Sequence, residues 1–329
     1  MIELKISKFI NSYNKINGQQ NMIVSKLDIA RAAMTIGYPK TLDAIQDFGI
    51  FRFLELYFRT QSYLEKYNNY FQLKPIFHLL DSSEQRTISY FFGQAFTKLF
   101  AEKYLDCYQV DNFGNHKHNV SLIESNIKFV PKHQLYNSEK KPKEPDLIGF
   151  ARNGVHILEA KGYSSGFNGS VLQHAINQVS VINQVNGRKP LTKTACFFDL
   201  SENPIKGTII DPDSNLKNID INFNHDAFIS DYYQIFNLEK HNFRKTYWEV
   251  EIGNNRFSGF RLFERMYPRY FFGVDSKIFE QVNRGISKIE FENKKYDLFD
   301  YENISIGPDG ILLLKTSPFR HIIEKKLWI

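Results

Sequence analysis

Two apolar runs separated by Asn153-Gly154 are the feature that most constrains the fold of this chain. The runs read LIGFA and VHIL, and Asn-Gly between such runs is a strong signal for a two-residue hairpin turn. That turn would place Asp146 opposite Lys161, two residues beyond Glu159. Because side chains alternate along a strand, the sequence predicts that Asp146, Glu159 and Lys161 project from one face of a sheet.

Two carboxylates and an ammonium on one sheet face are costly unless they bind something. A hard cation such as Mg²⁺ prefers oxygen ligands and keeps some waters, so one or two carboxylates suffice. Asp146 and Glu159 are the candidate ligands, with the Ala160 carbonyl as a third. The metal would lower the pKa of a bound water and neutralise phosphate charge. Lys161 is a candidate to orient that water or to stabilise the transition state.

The residues Pro145, Asp146, Glu159 and Lys161, with Ala160 between the last two, form a motif. It resembles the catalytic motif of the restriction-endonuclease-like, or PD-(D/E)XK, nuclease superfamily. The resemblance implies Mg²⁺-dependent cleavage of DNA, less often RNA, with Mn²⁺ as a substitute. It also implies an α/β core with a central mixed sheet flanked by helices. The alternative is an ordinary edge hairpin in which Glu159 and Lys161 form an ion pair.

The order of predicted elements divides the chain into three regions. Residues 81–215 would form the nuclease core, in which a strand from Val120 to Val130 precedes the hairpin. A helical N-terminal region at 1–80 and an α+β C-terminal extension at 216–329 would flank it. The extension would supply substrate recognition or dimer contacts. The N-terminal helices could form a helix-turn-helix, but they lack a basic recognition helix, which favours a helical bundle.

A long amphipathic helix is predicted over residues 82–105, with Asp81 as its N-cap. In the superfamily, a helix before the catalytic hairpin often contributes an acidic or amide side chain to the site. Gln94 and Glu102 are the candidates here, and a solvated helix face is the alternative for both. Glu84 is better explained as part of the cap.

A second helix is predicted after the hairpin, from about Ser170 to Asn186, and it is rich in amides. In several superfamily branches such a helix carries a glutamine that faces the site. Gln178 is the best placed and Gln173 is a second candidate, with amides on an exposed face as the alternative. Ile182 stands where one common branch has tyrosine, which argues against that branch.

Other polar segments offer weaker signals. A basic loop precedes Asp146 and suits a phosphate backbone, although a solvated loop explains it equally well. Three arginines interleave with aromatic residues in a way that suits either nucleic-acid contact or ordinary packing, and packing is favoured. His116 and His118 lack a third ligand at metal spacing. The basic residues of the loop are Lys128, Lys132, His133, Lys140, Lys141 and Lys143, and the three arginines are Arg261, Arg265 and Arg269.

Composition limits the class of protein. The formal net charge is +6 with a pI near 9.0, which is compatible with nucleic-acid binding but does not require it. No apolar run approaches the ~20 residues of a membrane helix, and no signal-peptide pattern begins the chain. Cys107 and Cys196 have no zinc spacing, and Cys196 is expected to be a buried thiol. A cytoplasmic protein is the simplest interpretation.

Together the motif and its resemblance to this superfamily predict a Mg²⁺-dependent DNA endonuclease, and the resemblance implies restriction or antiviral defence as its setting. The alternatives are a DNA repair or recombination nuclease, an RNA-cleaving effector, and a nucleic-acid-binding module that no longer cuts. A homodimer or an activating partner subunit is compatible with the chain length, and no membrane partner is expected. The sequence has neither a Gly-x-Ser-x-Gly elbow nor a Gly-Lys-Ser/Thr phosphate loop, which disfavours a serine hydrolase or an ATPase.

Overall fold

A computed structural model describes nine stretches of the chain: residues 1–37, 42–113, 120–124, 145–212, 219–237, 246–262, 270–286, 302–316 and 324–328. Their strands are, in chain order, β1 Ile2–Ser7, β2 Gly18–Met22, β3 Leu64–Tyr67, β4 Tyr70–Leu73, β5 Gln109–Asn112, β6 Val120–Glu124, β7 Leu147–Ala151, β8 Gly154–Tyr163, β9 Ile182–Val185, β10 Thr192–Asp199, β11 Lys206–Ile210, β12 Ile219–Phe223, β13 Thr246–Ile252, β14 Asn255–Leu262, β15 Tyr270–Asp275, β16 Ile304–Ile306, β17 Ile311–Lys315 and β18 Glu324–Trp328. Their α-helices are α1 Lys26–Ile36, α2 Leu42–Tyr63, α3 Ser82–Tyr104, α4 Gly169–Ser180, α5 His225–Tyr233 and α6 Ser276–Asn283.

A seven-stranded mixed sheet has the strand order β2-β1-β11-β10-β8-β7-β5. β8 pairs with β10 and β1 pairs with β11 in parallel, whereas the other neighbours are antiparallel. The inner strands β7, β8 and β10 are largely apolar and buried, because a strand covered on both faces has no solvent side. The predicted α/β class, with a large mixed sheet flanked by helices, is confirmed.

Helices α3 and α4 cover opposite faces of this sheet. α3 packs on the face that carries Leu158 and Ala160, and α4 packs on the face that carries Ile157 and Ala195. The predicted helix at 82–105 is confirmed as α3, and the Asp81 carboxylate caps it by accepting from two backbone N–H groups of the first turn. The two helices therefore enclose the hairpin of β7 and β8 between them.

The first eighty residues are less helical than the sequence predicted. α1 and α2 form, but β1 and β2 are strands, and β1 pairs with β11 inside the seven-stranded sheet. Ile2, Leu4 and Ile6 are buried and alternate with more exposed residues, which is the period of a strand and not of a helix. Nearly all of α1 is buried against its neighbours, so it has no free face for a DNA groove.

Two elements of the expected nuclease core lie elsewhere than predicted. The described part of the strand predicted from Val120 to Val130 is β6, which pairs with β12 in a separate three-stranded sheet and not in the central one. The helix predicted to reach Asn186 ends at Ser180. The residues from Ile182 to Val185 form the strand β9 instead, in which Ile182 and Val185 are buried. The strands β10 and β11 follow β9, and both pair within the seven-stranded sheet.

A six-stranded antiparallel sheet forms the C-terminal part, with the order β16-β17-β15-β14-β13-β18. β13 and β14 form an antiparallel hairpin. β16 and β17 pair next to each other at one edge of the sheet, and residues 287–301 lie outside the described residues. One face of this sheet shares a hydrophobic core with α1, α2 and α3, so the C-terminal extension packs on the helices of the N-terminal half.

Four buried charged side chains connect α1, α3 and the turn before β17. Arg31 Nη2 lies 2.7 Å from Glu102 Oε2, and Lys98 Nζ lies 2.9 Å from Glu102 Oε1 and 3.1 Å from Asp309 Oδ2. Glu102, a candidate for the site, is therefore held in an internal ion-pair cluster. Asp309 belongs to a turn that leads into β17.

No helix in the described stretches is long and apolar enough to cross a membrane. Cys107 and Cys196 are buried free thiols, which confirms the prediction for Cys196. Burial raises the pKa of both thiols, so they stay protonated near neutral pH.

Candidate functional site

The hairpin of β7 and β8 has a different turn from the one predicted. Ala151 pairs with Gly154, so the turn residues are Arg152 and Asn153. Gly154 has a φ of +153° whereas Asn153 does not have a positive φ. Glycine directly after the two central residues is typical of a type I turn, and an Asn-Gly type I′ turn would need positive φ at both. The pairing register therefore differs by two residues from the predicted one.

A shift of two residues leaves every side chain on the face that was predicted. The register places Asp146 opposite Glu159 instead of Lys161. Two hydrogen bonds support this placement: the Asp146 backbone N donates to Glu159 Oε2 at 3.0 Å, and the Ala160 backbone N donates to Asp146 Oδ2 at 3.0 Å. Each carboxylate is thus tied to the backbone of the opposite strand.

The structure brings Asp146, Glu159 and Lys161 together. Lys161 Nζ donates to Glu159 Oε1 and lies 3.7 Å from Asp146 Oδ2. The Glu159 side chain has no solvent exposure, whereas those of Asp146 and Lys161 are 17% and 21% exposed. The three side chains therefore form a group with one buried carboxylate at its base and two side chains open to solvent.

Burial and the negative charge of Asp146 raise the pKa of Glu159 to about 8, although Lys161 opposes the shift. Two carboxylates share one ammonium, so the group has an excess of negative charge when both acids are ionised. A divalent cation would balance that excess. Two carboxylates suit a cation that keeps several waters, such as Mg²⁺. Within the described ranges, no cluster of three or more His, Cys, Asp or Glu side chains occurs.

Helix α3 crosses β8 at unusually short range beside this group. A Cβ atom on Gly162 would lie 1.8 Å from the Ser89 carbonyl oxygen, and a Cβ atom on Gly93 would lie 2.4 Å from the Gly162 backbone N. Both glycines lack a side chain where the helix and strand backbones meet. This crossing brings the first half of α3 next to the hairpin.

Replacing Gly162 with alanine is expected to destabilise the protein by about 1–3 kcal/mol, the usual range for overpacking. The added methyl group meets backbone atoms of α3, which cannot rotate away. Urea denaturation would measure the change. Gly169→Ala is the matched control, because its Cβ would meet only Phe167 at 3.9 Å. Equal stability of Gly162→Ala and the wild type would contradict the close crossing.

Two side chains of α3 extend the group, and the sequence identified only one of them. Gln94 Nε2 donates to the Tyr90 hydroxyl at 2.7 Å, and that hydroxyl donates to Asp146 Oδ1 at 3.4 Å. Gln94, which is nearly buried, therefore reaches Asp146 only through Tyr90. Partial burial and the charges of Asp146 and Glu159 raise the pKa of Tyr90, so its hydroxyl stays a donor.

The i, i+4 spacing of Tyr90 and Gln94 is the signal that could have identified Tyr90 from the sequence. Residues four apart lie on the same helix face, so a tyrosine one turn before a candidate glutamine belongs to the same surface. Tyr90 is 46% exposed, unlike the apolar stripe of α3. Its ring therefore stands at the solvent boundary of the group.

The glutamines of α4 do not hydrogen-bond to the group. Gln178 is half-buried, and its buried Oε1 has no hydrogen-bond partner in the described part of the chain. Gln173 is exposed and donates to Asn177 on the same helix. α4 does pack on the sheet face that carries Glu159, so a role for Gln178 stays a prediction.

The other sequence candidates lie apart from this group or outside the described residues. His156 is buried, and its Nδ1 lies 2.9 Å from the Thr192 hydroxyl, so it faces away from Glu159. In the C-terminal sheet, Arg261 stacks on Trp248, with the guanidinium Cζ 3.4 Å from the ring centroid. The candidates outside the described residues are the basic loop before Asp146, His116, His118, Arg265 and Arg269.

Comparison with known proteins gives no match to a family model, to a curated protein or to a solved structure. The chemistry of the site must therefore be inferred from its own residues. Asp146, Glu159 and Lys161 offer four carboxylate oxygens and one ammonium at one end of β8. Such a set can hold a hard cation and place a positive charge beside a reacting phosphate.

Proposed function

We propose that this protein is a Mg²⁺-dependent nuclease that hydrolyses DNA phosphodiester bonds on a restriction-endonuclease-like core. One observation carries the proposal: Asp146 and Glu159 lie side by side, with Lys161 in contact with Glu159 and close to Asp146. Two ionised carboxylates beside one ammonium leave an excess of negative charge, which a divalent cation would balance. The position of the group on the inner strand β8, between α3 and α4, also supports it.

The chain's own residues have distinct roles in this proposal. Asp146 and Glu159 would hold Mg²⁺, with the Ala160 carbonyl as a further ligand. When bound, Mg²⁺ would supply Lewis acidity toward the phosphate. Lys161 Nζ would hold the attacking water and place a positive charge where negative charge develops. Gln94 and Tyr90 would fix the orientation of the Asp146 carboxylate, and Gln178 would support the site from α4.

Restriction or another form of antiviral defence is the setting we propose, with repair or recombination as the alternative. The net charge of +6 is compatible with a polyanionic substrate. A module that binds nucleic acid without cutting it is the rival class of function. It is less favoured, because all three polar residues of the motif are present and in contact.

The test is cleavage of plasmid, single-stranded DNA and RNA with Mg²⁺, Mn²⁺ or EDTA, beside a Glu159→Ala control. Cutting that needs the metal and is lost in the variant would support the proposal and identify the substrate class. Cutting by the wild type in EDTA, or equal cutting by the variant, would contradict it. Preference for a specific DNA site would favour restriction, and preference for ends or flaps would favour repair.

Tyr90→Phe is expected to lower the cleavage rate by about 10-fold or more, the usual cost of losing a residue that orients a metal ligand. The variant keeps the ring but removes the donor to Asp146 Oδ1 and the acceptor for Gln94. We expect the loss in kcat and not in KM. Tyr104→Phe on the same helix is the control, because its ring stacks on Phe100. An unchanged kcat for Tyr90→Phe would remove this positioning role.

A further inference from the structure

Aromatic side chains continue the row of Glu159 and Lys161 along the same sheet face. In the parallel pairing of β8 and β10, Phe197 lies beside Lys161. Tyr163 follows Lys161 by two residues, so it also projects from this face. Phe197 is fully buried. Tyr163, Phe167 and Phe197 form an aromatic cluster, and its member Phe197 lies directly next to the proposed catalytic lysine.

The outer member of the cluster is Phe167. Its ring centroid lies 5.4 Å from that of Phe197 in a T-shaped contact, and the ring of Tyr163 lies 6.2 Å from Phe197. Phe167 is nevertheless 60% exposed. One part of the ring thus contacts Phe197, which pairs with Lys161 in the sheet, and the rest of the ring is open to solvent.

The backbone directly after Phe167 is held by a helix cap. Asn168 caps α4, because its Oδ1 accepts from the backbone N atoms of Ser170 and Val171. The Phe167 ring is therefore presented directly before the capped start of α4, which lowers the ordering cost of stacking on it.

We propose that Phe167 is a stacking platform for an unpaired nucleobase of the strand that is cut. The proposal rests on the proposed function and specifies its substrate class as single-stranded or locally unwound nucleic acid. Adjacent strands lie ~4.8 Å apart, and Phe167 contacts the residue beside Lys161. A phosphate at Lys161 therefore brings the base of a neighbouring nucleotide to Phe167.

An unpaired base is the occupant that fits this surface best. Bases within a duplex are stacked on both faces, so a protein ring can stack on one only after it is unpaired or flipped out. Aromatic platforms next to a positive charge are the general solution for binding single strands, because every base has a π-face. A duplex would meet Phe167 only through its sugar-phosphate backbone, which offers no ring for stacking.

The test is binding of fluorescein-labelled single-stranded DNA and of a duplex of equal length, by fluorescence anisotropy in EDTA. Phe167→Ala is expected to weaken single-strand binding by about 10-fold or more and to leave duplex binding nearly unchanged. Phe167→Trp should retain single-strand affinity, because it keeps a ring. Phe51→Ala removes a phenylalanine that is 74% exposed on α2 and should change neither affinity.

Three outcomes would overturn the platform. Equal single-strand affinity of Phe167→Ala and the wild type would overturn it, and so would an equal loss for single strand and duplex. A Phe167→Trp variant as weak as Phe167→Ala would show that the ring is not stacking, and would favour a protein partner at this surface. Each outcome is read from binding by folded variants, whose circular dichroism should match that of the wild type.

The binding assay separates the platform from the proposed hydrolysis. Single-strand binding that depends on Phe167, without Mg²⁺-dependent cutting, would support the platform and contradict the nuclease. Mg²⁺-dependent cutting with unchanged binding by Phe167→Ala would support the nuclease and contradict the platform. A 2-aminopurine base next to the scissile phosphate gives a further readout, because its fluorescence should change on wild-type binding and not on Phe167→Ala binding.

Discussion

Glu159→Gln is expected to lower the cleavage rate by roughly a thousand-fold, with little change in the fold. A bound metal ion stabilises the transition state by several kcal/mol, and each ~1.4 kcal/mol corresponds to a factor of ten in rate. Glutamine has the same size, so it can still accept the hydrogen bond from the Asp146 backbone N. It has no negative charge, and it is a much weaker ligand for a hard cation. A cleavage time course at saturating Mg²⁺ would measure the loss.

Metal affinity distinguishes the ligands from Lys161. Isothermal titration with Mn²⁺ should show weaker binding for Glu159→Gln and for Asp146→Ala. Lys161→Ala should lose cutting but hardly any metal affinity, because it removes a cation and no ligand. Equal metal binding by the wild type and Glu159→Gln would remove the ligand assignment, whatever happens to the cleavage rate.

Glu102→Gln is expected to destabilise the protein by about 3–5 kcal/mol, the range for breaking a buried ion pair from one side. The Glu102 carboxylate contacts both Arg31 and Lys98, and all three side chains are nearly inaccessible to solvent. Glutamine would leave two buried cations with Asp309 as their remaining anion in the cluster. Urea denaturation should show a lower midpoint with an unchanged m-value.

Glu280→Gln is the matched control for this substitution. Its partner Arg284 lies 3.3 Å away on α6, and both side chains are mostly exposed. Exposed i, i+4 pairs on a helix contribute about 0.3–0.5 kcal/mol, so Glu102→Gln should lower the unfolding free energy several times more than Glu280→Gln. Comparable losses would contradict a special role for the buried cluster.

The pH dependence of stability gives a second check on Glu102. Burial opposes its ionisation, but Arg31 and Lys98 outweigh that cost and hold the pKa of Glu102 at about 2, below its ordinary value of 4.5. As pH falls, Glu102 therefore binds a proton in the unfolded chain before it does so in the folded protein. Its contribution to the unfolding free energy is complete above pH 4.5 and is lost as pH falls toward 2. The difference in unfolding free energy between wild type and Glu102→Gln should shrink over this interval.

The central hairpin shows how much of the site could be predicted from the sequence. The alternation of side chains along two short strands correctly predicted which of them share a face. The prediction of the face was correct although the predicted turn was wrong, because the register differed by two residues and not by one. The turn itself was predicted wrongly, because Gly154, with a φ of +153°, follows the two central residues and is not one of them. A Cβ atom on Gly154 would lie 3.1 Å from the side chain of Leu191, which comes from a later segment.

Distant pairing accounts for the errors in the fold. The apolar period of IELKIS is compatible with a strand, but its partner β11 lies some two hundred residues later in the chain. β6 was expected in the central sheet and instead pairs with β12. The partner of a strand is decided by which remote segments bury its side chains, and a period of two contains no information about that choice.

The sequence by itself determined the group of Asp146, Glu159 and Lys161, because all three residues belong to one hairpin whose geometry is local. Only the tertiary structure decided that Tyr90 joins them, since its position depends on the close crossing of α3 over Gly162. Likewise, only packing decided that Glu102 neutralises buried cations. A local pattern specifies the face of an element, whereas contacts between elements depend on the free energy of burying their surfaces together.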